Sequence, residues 1–179
     1  MGEQIAVTKN EKKLATTPAP AYDIRPGQSI ELLKELHILT RDGRMNQDSQ
    51  RKLKQVYHLF QFIEPLLKDI QAEHASIQLV DHGAGKSYLG FILYDLFFKS
   101  LTDNSHIYGI ETRDDLVKKS QLLAKQLAFP RMTFLNLSVA DSINSPLLPD
   151  KFKNVMCENA SFSANVCDFL TKSSRVSMP

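Results

Sequence analysis

Gln78-Leu79-Val80-Asp81-His82-Gly83-Ala84-Gly85-Lys86-Ser87-Tyr88-Leu89-Gly90 is the stretch on which the reading of this chain turns. Ile77 to Val80 is short, largely apolar and followed by turn residues, the pattern of a buried strand. Gly83 and Gly85 interrupt it, and helical spacing of apolar residues resumes from Ser87. A strand, a glycine turn and a helix in that order put a ligand site at the strand's carboxyl end. The glycines let the backbone run close to a ligand with no Cβ in the way, and the helix start offers free N–H donors.

Asp81 sets the sign of that ligand. A carboxylate in the loop repels a pyrophosphate and attracts an aminium or sulfonium centre, which favours S-adenosylmethionine over NAD. The third glycine of G-x-G-x-x-G is also missing, because Tyr88 stands in its place. A phosphate-binding P-loop is the competing reading, since Gly85-Lys86-Ser87 matches the end of G-x-x-x-x-G-K-[ST]. That pattern asks for glycine at position 80, which is Val80, and Asp81 and His82 suit a phosphate cradle poorly.

Downstream the same grammar repeats. A helix is predicted from Ser87 to about Ser100, a strand over His106–Ile110 and a helix over Asp114–Leu127 with Leu116, Leu122, Leu123 and Leu127 as core contacts. Met132–Leu135 reads as a third strand, and Phe152–Met156 opens a fourth. Strands alternating with helices imply crossover units, hence an α/β fold: a Rossmann-like, open and mostly parallel sheet of about four strands with helices N-terminal to it. Glu111 follows the second strand, 30 positions beyond Asp81 (111 − 81), where a carboxylate accepts ribose hydroxyl protons. After the third strand, Ser138 and Val139 lie where an adenine would rest, with Asp141 or the backbone meeting its amino group.

Upstream, residues 1–27 read as a tail poor in apolar residues. A helix is predicted over Ser29–Leu39, capped by Ser29, with Ile30, Leu33 and His37 on one face and Leu32 and Leu36 on its neighbour. A longer helix over Gln47–Ala72 carries one apolar stripe (Leu53, Val56, Tyr57, Phe60, Ile63, Leu67, Ile70), with Pro65 expected to kink or split it. Arg51, Lys52 and Lys54 near its start are either a solvated basic face or a contact for a phosphate backbone, RNA included. The division is thus a tail over 1–27, a helical segment over 28–74 and a cofactor-binding domain over 75–179.

Bulk properties exclude more than they assign. A chain of 179 residues, 42% hydrophobic and 23% charged, has the make-up of one globular domain. A net charge of +2 is too small to argue for nucleic acid alone. Cys157 and Cys167 are too far apart for a Cys-x-x-Cys pair, so no metal site or disulfide framework is expected. No run approaches the roughly 18 apolar residues of a membrane span, and a cytoplasmic protein is the expectation.

The loop resembles that of class I S-adenosylmethionine-dependent methyltransferases. It is closer still to a methyltransferase-domain family of RNA methyltransferases that carries Asp-x-Gly-x-Gly-Lys-[Gly/Ser]-Tyr-Leu, matched by Asp81, Gly83, Gly85, Lys86, Ser87, Tyr88 and Leu89. The upstream helix from Lys52 to Phe60, rich in Lys, Gln and aromatics, is similar too, and the likeness runs roughly from Ile30 to Phe152. It implies that Asp81, Gly83 and Gly85 line the methionine end and Glu111 the ribose. Lys86 would serve a substrate phosphate, a cofactor carboxylate or only the surface. After Phe152 the chain departs from that family, where an acidic residue, an apolar fourth strand and a motif facing the methyl group belong. A shortened domain with an open sheet edge prone to self-association is therefore expected. Three functions remain open: a methyltransferase acting on RNA or another large substrate, a cofactor-binding or interaction module without activity, and a P-loop nucleotide triphosphatase.

Overall fold

The computed structural model describes residues 24–149. The element order is α1 (Ile30–Glu35), α2 (Gln47–Glu73), β1 (Gln78–His82), α3 (Tyr88–Leu96), a 3-10 turn (Phe98–Ser100), β2 (His106–Glu111), α4 (Asp114–Gln126), β3 (Met132–Asn136) and α5 (Val139–Ile143). The three strands form one parallel sheet in the order β1-β2-β3. This is a Rossmann-like α/β fold. The expected fourth strand, Phe152–Met156, lies outside the described residues.

Asp81 of β1, Gly109 of β2 and Phe134 of β3 stand side by side across the sheet. Their face, with Ile107 and Met132, is buried under α3 and α4. Val80, Tyr108, Thr133 and Leu135 alternate to the other face and are half-buried, while His82 and Ile110 on that face are buried. α3 lies between β2 and α2. Phe91, Ile92, Leu93 and Tyr94 are consequently all buried in succession, as a helix covered on every side requires.

Helix ends explain several differences from the sequence reading. α1 stops at Glu35 because His37 takes a left-handed φ of 54°. His37 N–H then reaches Lys34 O and Ile38 N–H reaches Leu33 O, a Schellman closure. Ile30 is 46% exposed and His37 points to solvent, so the buried face is Leu32, Leu33 and Leu36. α2 runs unbroken through Pro65. The lost N–H bond is outweighed by its buried stripe of Phe60, Ile63 and Leu67 on either side. The end of the expected third helix tightens into the 3-10 turn after Phe97. On α4 the buried stripe is Val117, Ser120 and Ala124, flanked by Leu123 and Leu127, while Leu122 is 58% exposed.

α4 closes with the same motif as α1. Ala128 N–H bonds Lys125 O and Phe129 N–H bonds Ala124 O, with Ala128 held at φ 53°. An L-residue with a Cβ is strained there and glycine is not. Ala128→Gly is expected to stabilise the fold by about 1 kcal/mol in urea unfolding. A loss of stability would show that the Ala128 conformation carries no strain.

Ser29 joins the N-terminal helices to the domain. Its hydroxyl accepts Leu32 N–H and caps α1, while its own N–H donates to Asp95 Oδ2 on α3 at 2.7 Å. The Asp95 carboxylate is fully buried and also faces Lys99 at 3.5 Å. The segment over 28–74 and the sheet domain thus share one core, which includes Leu32, Leu53, Phe60, Phe91 and Ile107.

Candidate functional site

The glycine loop leaves β1 after His82 and folds back on β2, where Ala84 N–H donates to Ile110 O at 2.9 Å. Gly83, Gly85 and Ser87 have φ of 67°, 59° and 50°, each followed by a residue of negative φ. The loop N–H groups go to separate acceptors: Ser87 N–H donates to Ala84 O at 2.7 Å, and Gly85 N–H donates to Glu111 Oε2 at 2.8 Å. A Cβ on Gly85 would stand 3.7 Å from the Arg113 guanidinium and 4.0 Å from Glu111 Oε2. Those are ordinary contacts, so what glycine supplies at 85 is the positive φ of 59°.

Asp81 lies beneath the first turn of α3. Its Oδ2 is 3.7 Å from where a Cβ on Gly90 would sit and 3.5 Å from Ser87 Oγ, which donates to it. Burial pushes its carboxyl up to about 6; the Ser87 hydroxyl opposes that shift and the nearby Glu111 charge adds to it.

Glu111 shows the opposite behaviour. Oε1 accepts from Arg113 N–H (3.0 Å), Arg113 Nε (3.0 Å) and the Thr112 hydroxyl (3.3 Å). Oε2 accepts from Gly85 N–H and from an Arg113 terminal nitrogen (3.1 Å). The Arg113 side chain and these backbone donors hold the carboxyl down at about 2 despite its burial. Asn136, level with Glu111 on β3, donates to Glu111 O and Thr112 O and fixes the two strand tips together.

The adenine candidates have local roles as well. Ser138 caps α5: its hydroxyl accepts Asp141 N–H at 3.0 Å and donates to the Asp141 carboxylate at 2.6 Å. Val139 is the first residue of that helix and is partly exposed beside the β3 tip. Lys86 is exposed. Tyr88 opens α3 and meets Lys52 of α2, whose Nζ lies 4.9 Å from its ring centroid. Of Arg51, Lys52 and Lys54 near the start of α2, Lys52 is the one with this contact to Tyr88. Arg51 pairs with Asp48 at 3.6 Å, and Lys54 is exposed two residues on from Lys52, about 200° round the helix.

Asp81, Gly83, Gly85 and Glu111 are therefore brought together at one end of the sheet, with Ser138 and Val139 after the neighbouring β3 tip. Arg113 and Thr112 belong to the same cluster and were not among the sequence candidates. The only signal for Arg113 is its position two residues beyond the acid.

A glycine loop between β1 and α3, tied to an acid at the tip of β2, marks the chain as a Rossmann-like α/β domain. The chain belongs to the methyltransferase-domain family: the family model described as "Methyltransferase domain" matches residues 51–174. This bears out the class I resemblance and leaves the acceptor open. No curated protein matches the chain. A solved structure described as "Low resolution structure of WbdD with C-terminal bundle ordered to residue 505" is similar at 14% identity and a TM-score of 0.38. The match covers 72% of this chain and 20% of that one, so the chain spans about a fifth of its length. Among the described residues no helix is long and apolar enough to cross a membrane.

Proposed function

We propose that this domain binds S-adenosylmethionine at the tips of β1, β2 and β3 and transfers its methyl group to a large acceptor, RNA being the class we favour. The observation that carries the cofactor reading is the Gly85–Glu111 closure with Asp81 beside it. Two carboxylates and a backbone turn suit a ligand with a cationic amino-acid end and a vicinal diol. They suit a triphosphate badly, because two carboxylates repel its charge and Gly85 N–H is already bonded to Glu111.

In this reading Asp81 faces the aminium and sulfonium end, Gly83 and Gly85 give the backbone room, and Glu111 accepts the ribose hydroxyls. Ser138 and Val139 border the adenine. The bound cofactor supplies an electrophilic methyl on sulfur, so the protein's task is positioning rather than covalent catalysis. In the same reading Lys52, which contacts the Tyr88 ring, and the exposed Lys86, Arg51 and Lys54 would meet acceptor phosphates.

Calorimetry with S-adenosylhomocysteine and, separately, ATP with magnesium tests the cofactor. Binding of the first alone is expected, and binding of ATP alone would overturn the reading. Glu111→Ala is expected to weaken S-adenosylhomocysteine by about 30- to 100-fold, the worth of roughly one hydrogen bond to a charged group. Methyl transfer from labelled cofactor to total RNA, and its absence with protein acceptors, tests the substrate class.

A further inference from the structure

Glu111 has no acceptor position to spare. A carboxylate offers about four lone-pair sites, and five donors converge on this one: Gly85 N–H, Arg113 N–H, the Thr112 hydroxyl and two nitrogens of the Arg113 guanidinium. A ribose diol can reach it only if donors leave. The Gly85 and Arg113 N–H groups are fixed by the glycine loop and by the link between β2 and α4. The Thr112 hydroxyl, at 3.3 Å, is a single and longer contact.

That leaves the guanidinium. It grips both carboxylate oxygens from the outside, on a side chain that is 63% exposed while the Glu111 side chain is 8% exposed. Two parallel donors on one carboxylate are also what a vicinal diol presents. Arg113 and the diol are thus alternatives for one seat. The Asp115 charge, two residues along, also acts on Arg113 and favours its charged form.

We propose that Arg113 is a specificity-determining residue that occupies the diol seat on Glu111 and must be displaced before a nucleoside ligand can settle there. This rests on the cofactor reading above. The guanidinium keeps Glu111 aimed at the loop when no ligand is bound. It also sets a threshold: a ligand with two adjacent hydroxyls replaces both of its bonds, and a ligand lacking one replaces only half.

The test is S-adenosylhomocysteine binding by calorimetry to the full chain, its Arg113→Ala and Arg113→Lys variants, and the same two changes in a Glu111→Gln background. Arg113→Ala is expected to tighten binding by about three- to fivefold, the usual worth of a partly exposed ion pair. Arg113→Lys, which can hold only one oxygen firmly, should fall between. In the Glu111→Gln background the effect of Arg113→Ala should vanish, which a merely structural role for Arg113 would not produce. Weaker or unchanged binding in Arg113→Ala overturns the proposal while leaving the cofactor reading intact. Folded wild type and variants that all fail to bind the ligand overturn both.

Discussion

Asp81→Asn is expected to make the protein more stable at neutral pH and, in the same step, to remove its affinity for S-adenosylmethionine. The sign follows from the direction of the shift. Burial raises the Asp81 carboxyl to about 6 from an ordinary value of 3.8. Between those values the native state holds a proton that the unfolded chain has released. Stability therefore falls as pH rises from about 4 to about 6, and above 6 the full cost of a buried, weakly solvated anion is present. Two pH units correspond to about 3 kcal/mol, of which solvent reaching the partly exposed residue recovers some. Asparagine keeps the shape and cannot ionise. The variant should match wild type near pH 3, below both values, and exceed it by about 1–2 kcal/mol at pH 7.5 in urea unfolding. Glu111 titrates lower, from an ordinary 4.5 down to about 2, and is common to both proteins, so its loss of stability in stronger acid cancels in the comparison. Affinity for the cationic cofactor should drop at least 30-fold, since the anion facing the sulfonium is gone. A variant no more stable than wild type at pH 7.5 would show that the Asp81 anion costs the fold nothing. Unchanged affinity would show that the glycine loop is misassigned.

On the proposed cofactor reading, this trade accounts for the acid at the end of β1. Position 81 is a strand position facing α3, where an apolar residue or an amide would serve the core better. Ser87 is the neighbour that eases the charge, and it does so from a strained left-handed φ of 50°. Two local rules are broken within seven residues, and such departures concentrate at ligand sites.

The parts that sequence made legible share a cause. β1, β2 and β3 are short apolar runs between turn residues, and their period and flanks mark them within one or two residues. Asp81 and Glu111 follow from knowing where parallel strands end. The misplaced features depend on partners distant in sequence. Leu122 reads as core by its type, yet the face of α4 towards the sheet holds Val117, Ser120 and Ala124. His37 and Ala128 end helices in a conformation that glycine normally marks, so the usual stop signal is missing from the sequence. Arg113 could not be seen as a partner of Glu111 because an arginine at a helix start is ordinary until its fork is found on a carboxylate. Gly109, inside β2, does carry a sequence signal. An isolated glycine inside a strand marks a close approach by something else.

What approaches Gly109 is the Phe134 ring, and the second large effect is expected there. Gly109 lies in the central strand, between Asp81 on one side and Phe134 on the other. A Cβ at 109 would fall 2.5 and 2.7 Å from two ring carbons of Phe134 and 3.5 Å from the Ala84 Cβ. The ring cannot swing aside freely, because it packs on Phe91 with centroids 5.5 Å apart and is itself 3% exposed. Gly109→Ala should therefore cost about 2–3 kcal/mol, at the upper end for adding one methyl group to a packed core. Ala84 belongs to the glycine loop, so the strain should also reach the site: S-adenosylhomocysteine binding should weaken even where the variant is fully folded. The decisive comparison is a double-mutant cycle with Phe134→Leu, which shortens the ring and costs about 1–2 kcal/mol alone. In that background Gly109→Ala should cost less than about 1 kcal/mol, because the methyl group enters the space the ring has left. Additive losses would mean that Phe134 yields to a Cβ without cost, and that glycine at 109 serves something other than the seat of that ring.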